Sequence, residues 1–297
     1  IVINLSPPRE HARISCAVLQ SGRHLFSEKP LGVSRAEAQA ILAERDRTGG
    51  KAACAPGIMW GESQRALWQL AAEGAIGRVH GAFASIQWPG HERWHPNPEF
   101  FYQPGGGPVL DIGVYGLTAL TTVLGPVAQV SAQQQTALPV RRIAGGPKAG
   151  QTFTSQVPDH VNALLQFASG AQGVLLASFA VARSETPSLE LYGDAGALHL
   201  DDVIDFTSPV RQAAFGANDW SVAAQGGSLK GVDWARAVVD LAAAIRRGRE
   251  PLCSLEHAYH VLDVMLAIHE AAAAGAPVAI ASRFEPPAAP PEAGWLK

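Results

Sequence analysis

The chain has 297 residues, 47% of them hydrophobic and 16% charged, with a formal net charge of −3. That length suits one large domain or two of ordinary size, and so low a charged fraction excludes long disorder. The mild acidity excludes a polyanion partner, so no nucleic acid is expected, because nucleic-acid binders carry a basic excess.

Residues 1–5 form a short, mostly β-branched run closed by Ser6-Pro7-Pro8. The run opens on isoleucine rather than methionine, which sets the expectation that the chain begins inside a larger protein. A helix is predicted over 9–20, with Gly22 where a C-terminal cap belongs. Residues 24–27 read as a second strand, ending in Glu28-Lys29-Pro30. Ser34 to Glu37 spell a capping box that opens a helix stopping at Gly49-Gly50. Residues 51–55 make a third strand, stopped by Pro56-Gly57. Strand, helix, strand, helix, strand with short connections predicts a parallel sheet in a doubly wound α/β unit over 1–57.

The pattern then changes. A strand over 79–88 leads into an aromatic loop and a helix over 109–124. Residues 112–140 are uncharged, but Gly113, Gly116, Gly125, Pro126 and the glutamines Gln133 to Gln135 interrupt them. The apolar helical part is about 14 residues, short of the roughly 20 a bilayer demands, so no membrane span is predicted. Strands over 160–167 and 173–180 are joined by a turn at 168–171, and strands over 189–192 and 197–200 flank a second at 193–196. Helices over 232–247 and 255–273 precede a proline-rich tail at 286–297. The fold class is therefore α/β over 1–57 followed by α+β over 58–285. No basic and apolar leader marks a signal peptide. Cys16, Cys54 and Cys253 are too few and too far apart for a disulfide framework or a cysteine zinc site, which fits a reducing cytoplasm.

Ligands of open α/β sheets bind beyond the carboxyl ends of the strands. Here those ends are Asn4-Leu5-Ser6, Glu28-Lys29 and Ala55-Pro56. Of only five lysines, Lys29 is the one at the carboxyl end of a strand. Partly buried there, its ammonium could hold a substrate hydroxyl, with its pKa shifted down. A plain Glu28–Lys29 surface pair on a turn is the other reading.

Ser27-Glu28-Lys29-Pro30-Leu31-Gly32 resembles the "E-K-P" signature of the Gfo/Idh/MocA oxidoreductases (glucose–fructose oxidoreductase, inositol dehydrogenase and rhizopine catabolism proteins). Other pieces match in order: Asn4 to Pro8 with His11, then Gly74-Ala75-Ile76-Gly77, then Gly105-Gly106-Gly107 through Asp111-Ile112-Gly113-Val114-Tyr115, and late in the chain Ala258 to Asp263. The resemblance spans nearly the whole chain. It implies a partial Rossmann domain holding the last three parallel strands, followed by a domain with an open, mostly antiparallel sheet. It also implies an NAD(P)-dependent dehydrogenase acting on a sugar, polyol or cyclic diol.

By that resemblance the nicotinamide of NAD or NADP lies across the strand ends, at Asn4, Leu5, Ser6, Pro7, His11, Glu28, Lys29 and Pro56. Lys29 contacts the reacting oxygen, Asp111 orients the substrate or Lys29, and Tyr115 stands where many members have histidine. A cis peptide before Pro30 is expected as well, and subunits are expected to pair into a dimer or tetramer through the exposed sheet face. Asp111 and Tyr115, four apart, share one helix face. Oxidising an alcohol requires its proton to leave as the hydride leaves, and an adjacent ammonium would favour a Tyr115 phenolate as base.

Alternatives stand beside these roles. Asp111 could cap its helix, and Tyr115 could be a core aromatic. Trp88, His95 and Tyr102 in the aromatic loop, with Glu99, could wall the substrate pocket or pack beneath the loop. His91-Glu92-Arg93-Trp94-His95 matches the zinc-peptidase motif, but Pro96 disfavours the helix that motif requires, so no metal is expected. No segment spells the G-x-G-x-x-G phosphate turn of a dinucleotide site. The resemblance places Ile1 on the fourth strand of the sheet, so that turn is expected on a preceding segment. A non-catalytic relative that senses a ligand or binds a partner, or an inactive fragment, is the alternative function.

Overall fold

The computed structural model describes residues 1–227 and 231–289. Most of the expected proline-rich tail, 290–297, lies outside the described residues.

The first three strands form where expected: β1 (Val2–Asn4), β2 (Leu25–Ser27) and β3 (Ala52–Cys54) pair in parallel in the order β1-β2-β3. β2 and β3 are buried at every position, as strands covered on both faces should be. The crossovers are α1 (His11–Gln20) and α2 (Arg35–Thr48). The Ser34 hydroxyl accepts from the Glu37 N–H, and α2 ends on left-handed Gly49. The Glu37 carboxylate reaches back to the Val33 N–H at 2.8 Å, so the box closes one residue before the cap.

The rest of the chain builds a second unit on α3 (Glu62–Ala72), β4 (Val79–Gln87), α4 (Val114–Leu124) and β5 (Val127–Gln135). A two-stranded ribbon of β6 (Val140–Arg142) and β7 (Thr152–Thr154) follows. β8 (His160–Phe167), β9 (Gln172–Ser178), β10 (Leu189–Gly193) and β11 (Gly196–Leu200) form the two expected hairpins. β12 (Val210–Ala214), β13 (Ser221–Ala224), α5 (Ala235–Arg247), α6 (Leu255–Ala274) and β14 (Val278–Ala279) complete the order.

Among the described residues a nine-stranded sheet runs β13-β12-β11-β10-β4-β9-β8-β5-β14. Every pairing in it is antiparallel except β4 with β9. This is the expected class: parallel strands first, then an open, mostly antiparallel sheet. β8 alternates buried and exposed positions, so one face looks into the core and the other outward. α4 and α6 cover the inner face. No helix among the described residues is long and apolar enough to cross a membrane.

α5 crosses back to the first sheet, where Ala237 and Leu241 pack with Phe26, Ala53 and Trp60. The approach is close enough that a Cβ on Gly57 would sit 2.5 Å from that of Ala237.

Two histidines of α6 are expected to make the fold acid-sensitive. His257 meets the Thr121 hydroxyl at 2.7 Å and stacks on Phe284, while His260 accepts the Val127 N–H at 2.9 Å. Burial, then the neighbouring His260 charge, pushes His257 down to about 3. Burial, aided by Arg283 and opposed by Asp263, pushes His260 down to about 4. Both are held neutral in the fold, whereas the unfolded chain protonates them near their ordinary value of about 6.5. Their contribution is complete above that value and drains away as pH falls towards 4. The urea midpoint is expected to drop between pH 7 and 5, and a flat midpoint over that interval would refute it. His260→Gln, which cannot titrate, should flatten part of the drop.

Candidate active site

The site forms where the first sheet meets the second unit. Lys29 leaves the carboxyl end of β2 and its peptide to Pro30 is cis. Asp111 lies on a single π-turn, Val109–Gly113, that runs into α4. Such turns insert one residue into a helix and re-aim its side chains, and they recur at functional sites. The glycine run before it is sterically obligatory: a Cβ on Gly106 would lie 2.6 Å from the Phe101 carbonyl oxygen.

Lys29 Nζ donates to Asp111 Oδ1 at 2.7 Å and to the Asp111 carbonyl oxygen at 2.6 Å. The other carboxylate oxygen meets His91 Nε2 at 2.6 Å. Tyr115, one helical turn on, presents its ring 5.3 Å from the ammonium. The side chains of Lys29, Asp111 and His91 are 14%, 16% and 3% exposed, so these contacts act in a largely water-free place.

Burial pushes the Asp111 carboxyl up, but the Lys29 charge and the His91 contacts overcome it and hold it at about 2. Burial alone would lower Lys29; the charge of Asp111 and its hydrogen bond, with the charge of Glu28, outweigh it, and its pKa is raised above the ordinary lysine value. The downward shift expected for Lys29 is therefore corrected. The phenolate expected of Tyr115 is corrected too. Burial raises that hydroxyl most, Asp111 and Glu28 raise it further, and the opposing Lys29 charge does not compensate. At neutral pH the site holds an ammonium, a carboxylate and an intact phenol.

A cavity of about 100 Å³ opens on this cluster between Pro7, Arg9 and Pro30 on one side and Phe101 and Leu110 on the other. Arg9 bridges its two walls by donating to the Pro104 carbonyl oxygen at 2.9 Å. Of the residues named from sequence, Pro7, Lys29 and Asp111 line it.

The others take different posts. Asn4 is buried and donates to the His11 carbonyl oxygen and the Ser15 hydroxyl. Ser6 donates to the Asn4 side chain, and Leu5 stands 70% exposed. His11 spans the carbonyl oxygens of Pro30 and Ser6 at 2.7 and 2.8 Å, fixing the loop that carries Lys29. Glu28 accepts the Lys29 N–H, and Pro56 borders a separate small cavity with Cys54 and His257. Trp88 stands edge-on to His91, and His95 packs edge-on to Trp94, Phe100 and Phe101. Tyr102 is fully buried, its hydroxyl donating to Glu92, so its place is in the core rather than on a substrate. Asp111 sits inside the π-turn and does not cap α4.

Within the zinc-peptidase string, His91 turns to Asp111 while Glu92 binds Arg141 and Tyr102. Arg141, 1% exposed at its side chain, also holds Asp159 Oδ2 at 2.5 Å and the Phe179 carbonyl oxygen at 2.8 Å. No group of three or more His, Cys, Asp or Glu among the described residues is placed to hold a metal ion.

Residues 64–199 match the family model of the GFO/IDH/MocA C-terminal domain. That stretch of the chain is thus a Gfo/Idh/MocA C-terminal domain. Over 123 residues the chain is 34% identical to the dTDP-3,4-didehydro-2,6-dideoxy-alpha-D-glucose 3-reductase of Streptomyces antibioticus, covering 37% of the chain and 33% of that protein. It is 26% identical over 182 residues to the trans-1,2-dihydrobenzene-1,2-diol dehydrogenase of Oryctolagus cuniculus, covering 61% and 50%. The chain thus spans half or less of the length of these two relatives. Its fold is that of an NAD binding oxidoreductase from Klebsiella pneumoniae, with a TM-score of 0.81 at 23% identity over 95% of this chain and 80% of the other.

Proposed function

We propose that this chain carries the substrate-side chemistry of an NAD(P)-dependent oxidoreductase that interconverts a secondary alcohol and a carbonyl on a sugar, polyol or cyclic diol. The observation that carries the reading is the Lys29–Asp111 pair, buried beside Tyr115 and opening on a cavity at the carboxyl ends of parallel strands.

The residues fit the nicotinamide end of the cofactor. Pro7, Pro30 and Phe101 give a mostly apolar lining beside the Lys29 and Arg9 cations, of a size for a flat ring. The turns after β1, β2 and β3 are not glycine-rich, so no phosphate cradle stands among the described residues. When bound, the cofactor supplies or takes the hydride at the reacting carbon.

The chain's own groups manage the oxygen. Two of the three N–H bonds of Lys29 are spent on Asp111, and the third, which faces the Tyr115 hydroxyl, is the one a substrate oxygen would share. Asp111, ionised throughout, keeps Lys29 cationic, and that charge stabilises the oxyanion that develops as a carbonyl is reduced. The Tyr115 hydroxyl, protonated at rest, delivers its proton to the developing alkoxide in reduction and is reprotonated from solvent; in oxidation it must first release that proton to solvent, and the phenolate then takes the proton of the alcohol. The outer face of the nine-stranded sheet, where Leu164 stands 62% exposed, is the surface proposed to pair subunits.

The test is a hydride-transfer assay with NADH and NADPH against a panel of ketoses, inososes and cyclic hydroxyketones. Turnover of one class that falls about 10- to 100-fold in Tyr115→Phe, with binding retained, is the expected result. The reading is overturned by a panel with no turnover and no effect of nicotinamide mononucleotide on the Lys29 ammonium resonance.

A further inference from the structure

His91 has no part in the chemistry above, yet it is among the most enclosed polar side chains near the cavity. Its ring stacks on Phe101 with centroids 3.9 Å apart, and Phe179, Trp88 and Trp94 meet it edge-on at 4.7, 5.4 and 5.4 Å. Inside this aromatic surround Nδ1 is buried without a hydrogen-bond partner. The ring therefore makes one side-chain hydrogen bond, and makes it to Asp111. Asp111 is ionised and accepts only, so Nε2 is the donor.

We infer that His91 is a positioning residue: it pins one carboxylate oxygen of Asp111 so that the other faces Lys29 and the ammonium stays aimed at the cavity. A carboxylate free to rotate could not hold Oδ1 and the main-chain carbonyl on one ammonium together. The surroundings are built to keep the ring still. The His91 N–H donates to the Tyr102 hydroxyl at 3.1 Å, Tyr102 donates to Glu92, and Glu92 is held by Arg141 at 3.0 Å. A buried relay of contacts thus runs from Arg141 to Lys29. Orphaning Nδ1 among aromatic rings is unfavourable. A histidine kept only to fill space gains nothing over phenylalanine there.

The inference rests on the role proposed for Lys29, and the experiment separates the two. Protein labelled with 15N-lysine carries five lysines, and the Lys29 ammonium resonance is assigned by its loss in Lys29→Met. His91→Phe keeps the stacked ring and removes the donor. It should speed hydrogen exchange of that ammonium about tenfold and lower kcat about 10- to 100-fold with KM changed less than about threefold. His91→Gln, whose amide reaches the place of Nε2, should restore most of both. His91→Asn, one methylene shorter, should not, and this pair decides the matter even where His91→Phe does not fold. Exchange and kcat within twofold of the parent in His91→Phe overturn the inference, as do equal losses in His91→Gln and His91→Asn. If Lys29→Met keeps full turnover, the proposed function falls, while the exchange measurements still decide whether His91 positions Asp111.

Discussion

Replacing Lys29 by methionine is expected to lower turnover by about 10³-fold or more, with the protein still folded. Methionine keeps the volume and flexibility of the stem, so the cavity walls stay in place. What disappears is the ammonium proposed to face the reacting oxygen, with its two hydrogen bonds onto Asp111. Loss of a single preorganised oxyanion donor costs on the order of 10²- to 10³-fold, and the cation adds to that because water is excluded around it. Tyr115 also loses the charge that partly offsets its burial, so its hydroxyl becomes a still weaker acid. The measurement is kcat at saturating cofactor and substrate, with unfolding followed in parallel. A variant within about tenfold of the parent would remove this cluster from the chemistry.

The largest loss of stability is expected at a residue that touches no substrate. Arg141 lies between Glu92 and Asp159, whose side chains are 8% and 0% exposed, and over the ring of Tyr102 at 5.0 Å. Its guanidinium also serves the carbonyl oxygens of Leu138 and Phe179. Arg141→Met leaves two carboxylates buried without their counter-ion, a change that costs about 3–5 kcal/mol. For a chain of this size that lowers the melting temperature by roughly 10 °C. The loss belongs to the stranded charges more than to the missing contact. Adding Glu92→Gln and Asp159→Asn to Arg141→Met should therefore recover part of it, and a triple variant no more stable than the single one would refute that account.

Strands and helices with a strong local signal were legible in the sequence. β1, β2 and β3 are short apolar runs between breakers, and α2 carries a serine cap and a terminal glycine. α3 escaped notice because Ser63 and Gln64 occupy half of its buried face, beside Leu67 and Trp68, and disguise the period. β5 looked like a break because its outward positions are glutamines and serine. The positions of Lys29, Asp111 and Tyr115 were legible through motif resemblance, whereas their charge states were not. Those depend on burial and on Glu28 and Asp111 acting at close range, which spacing along a chain does not encode. His91 was hidden inside a string that spells a different chemistry, and nothing local joins it to a carboxylate 20 residues away. A core arginine such as Arg141 has no local signature at all.

The return of α5 to the first sheet governs the order in which this chain can mature on the ribosome. β1, β2 and β3 emerge before the second unit, yet the apolar surface of Phe26, Ala53 and Trp60 waits for Ala237 and Leu241, synthesised about 180 residues after β3. At 5–20 residues per second that is an interval of roughly 10–40 s in which the sheet lacks part of its cover. A nascent chain stalled before α5 should recruit chaperones and be cut readily near the first sheet, and release of the last helices should end both.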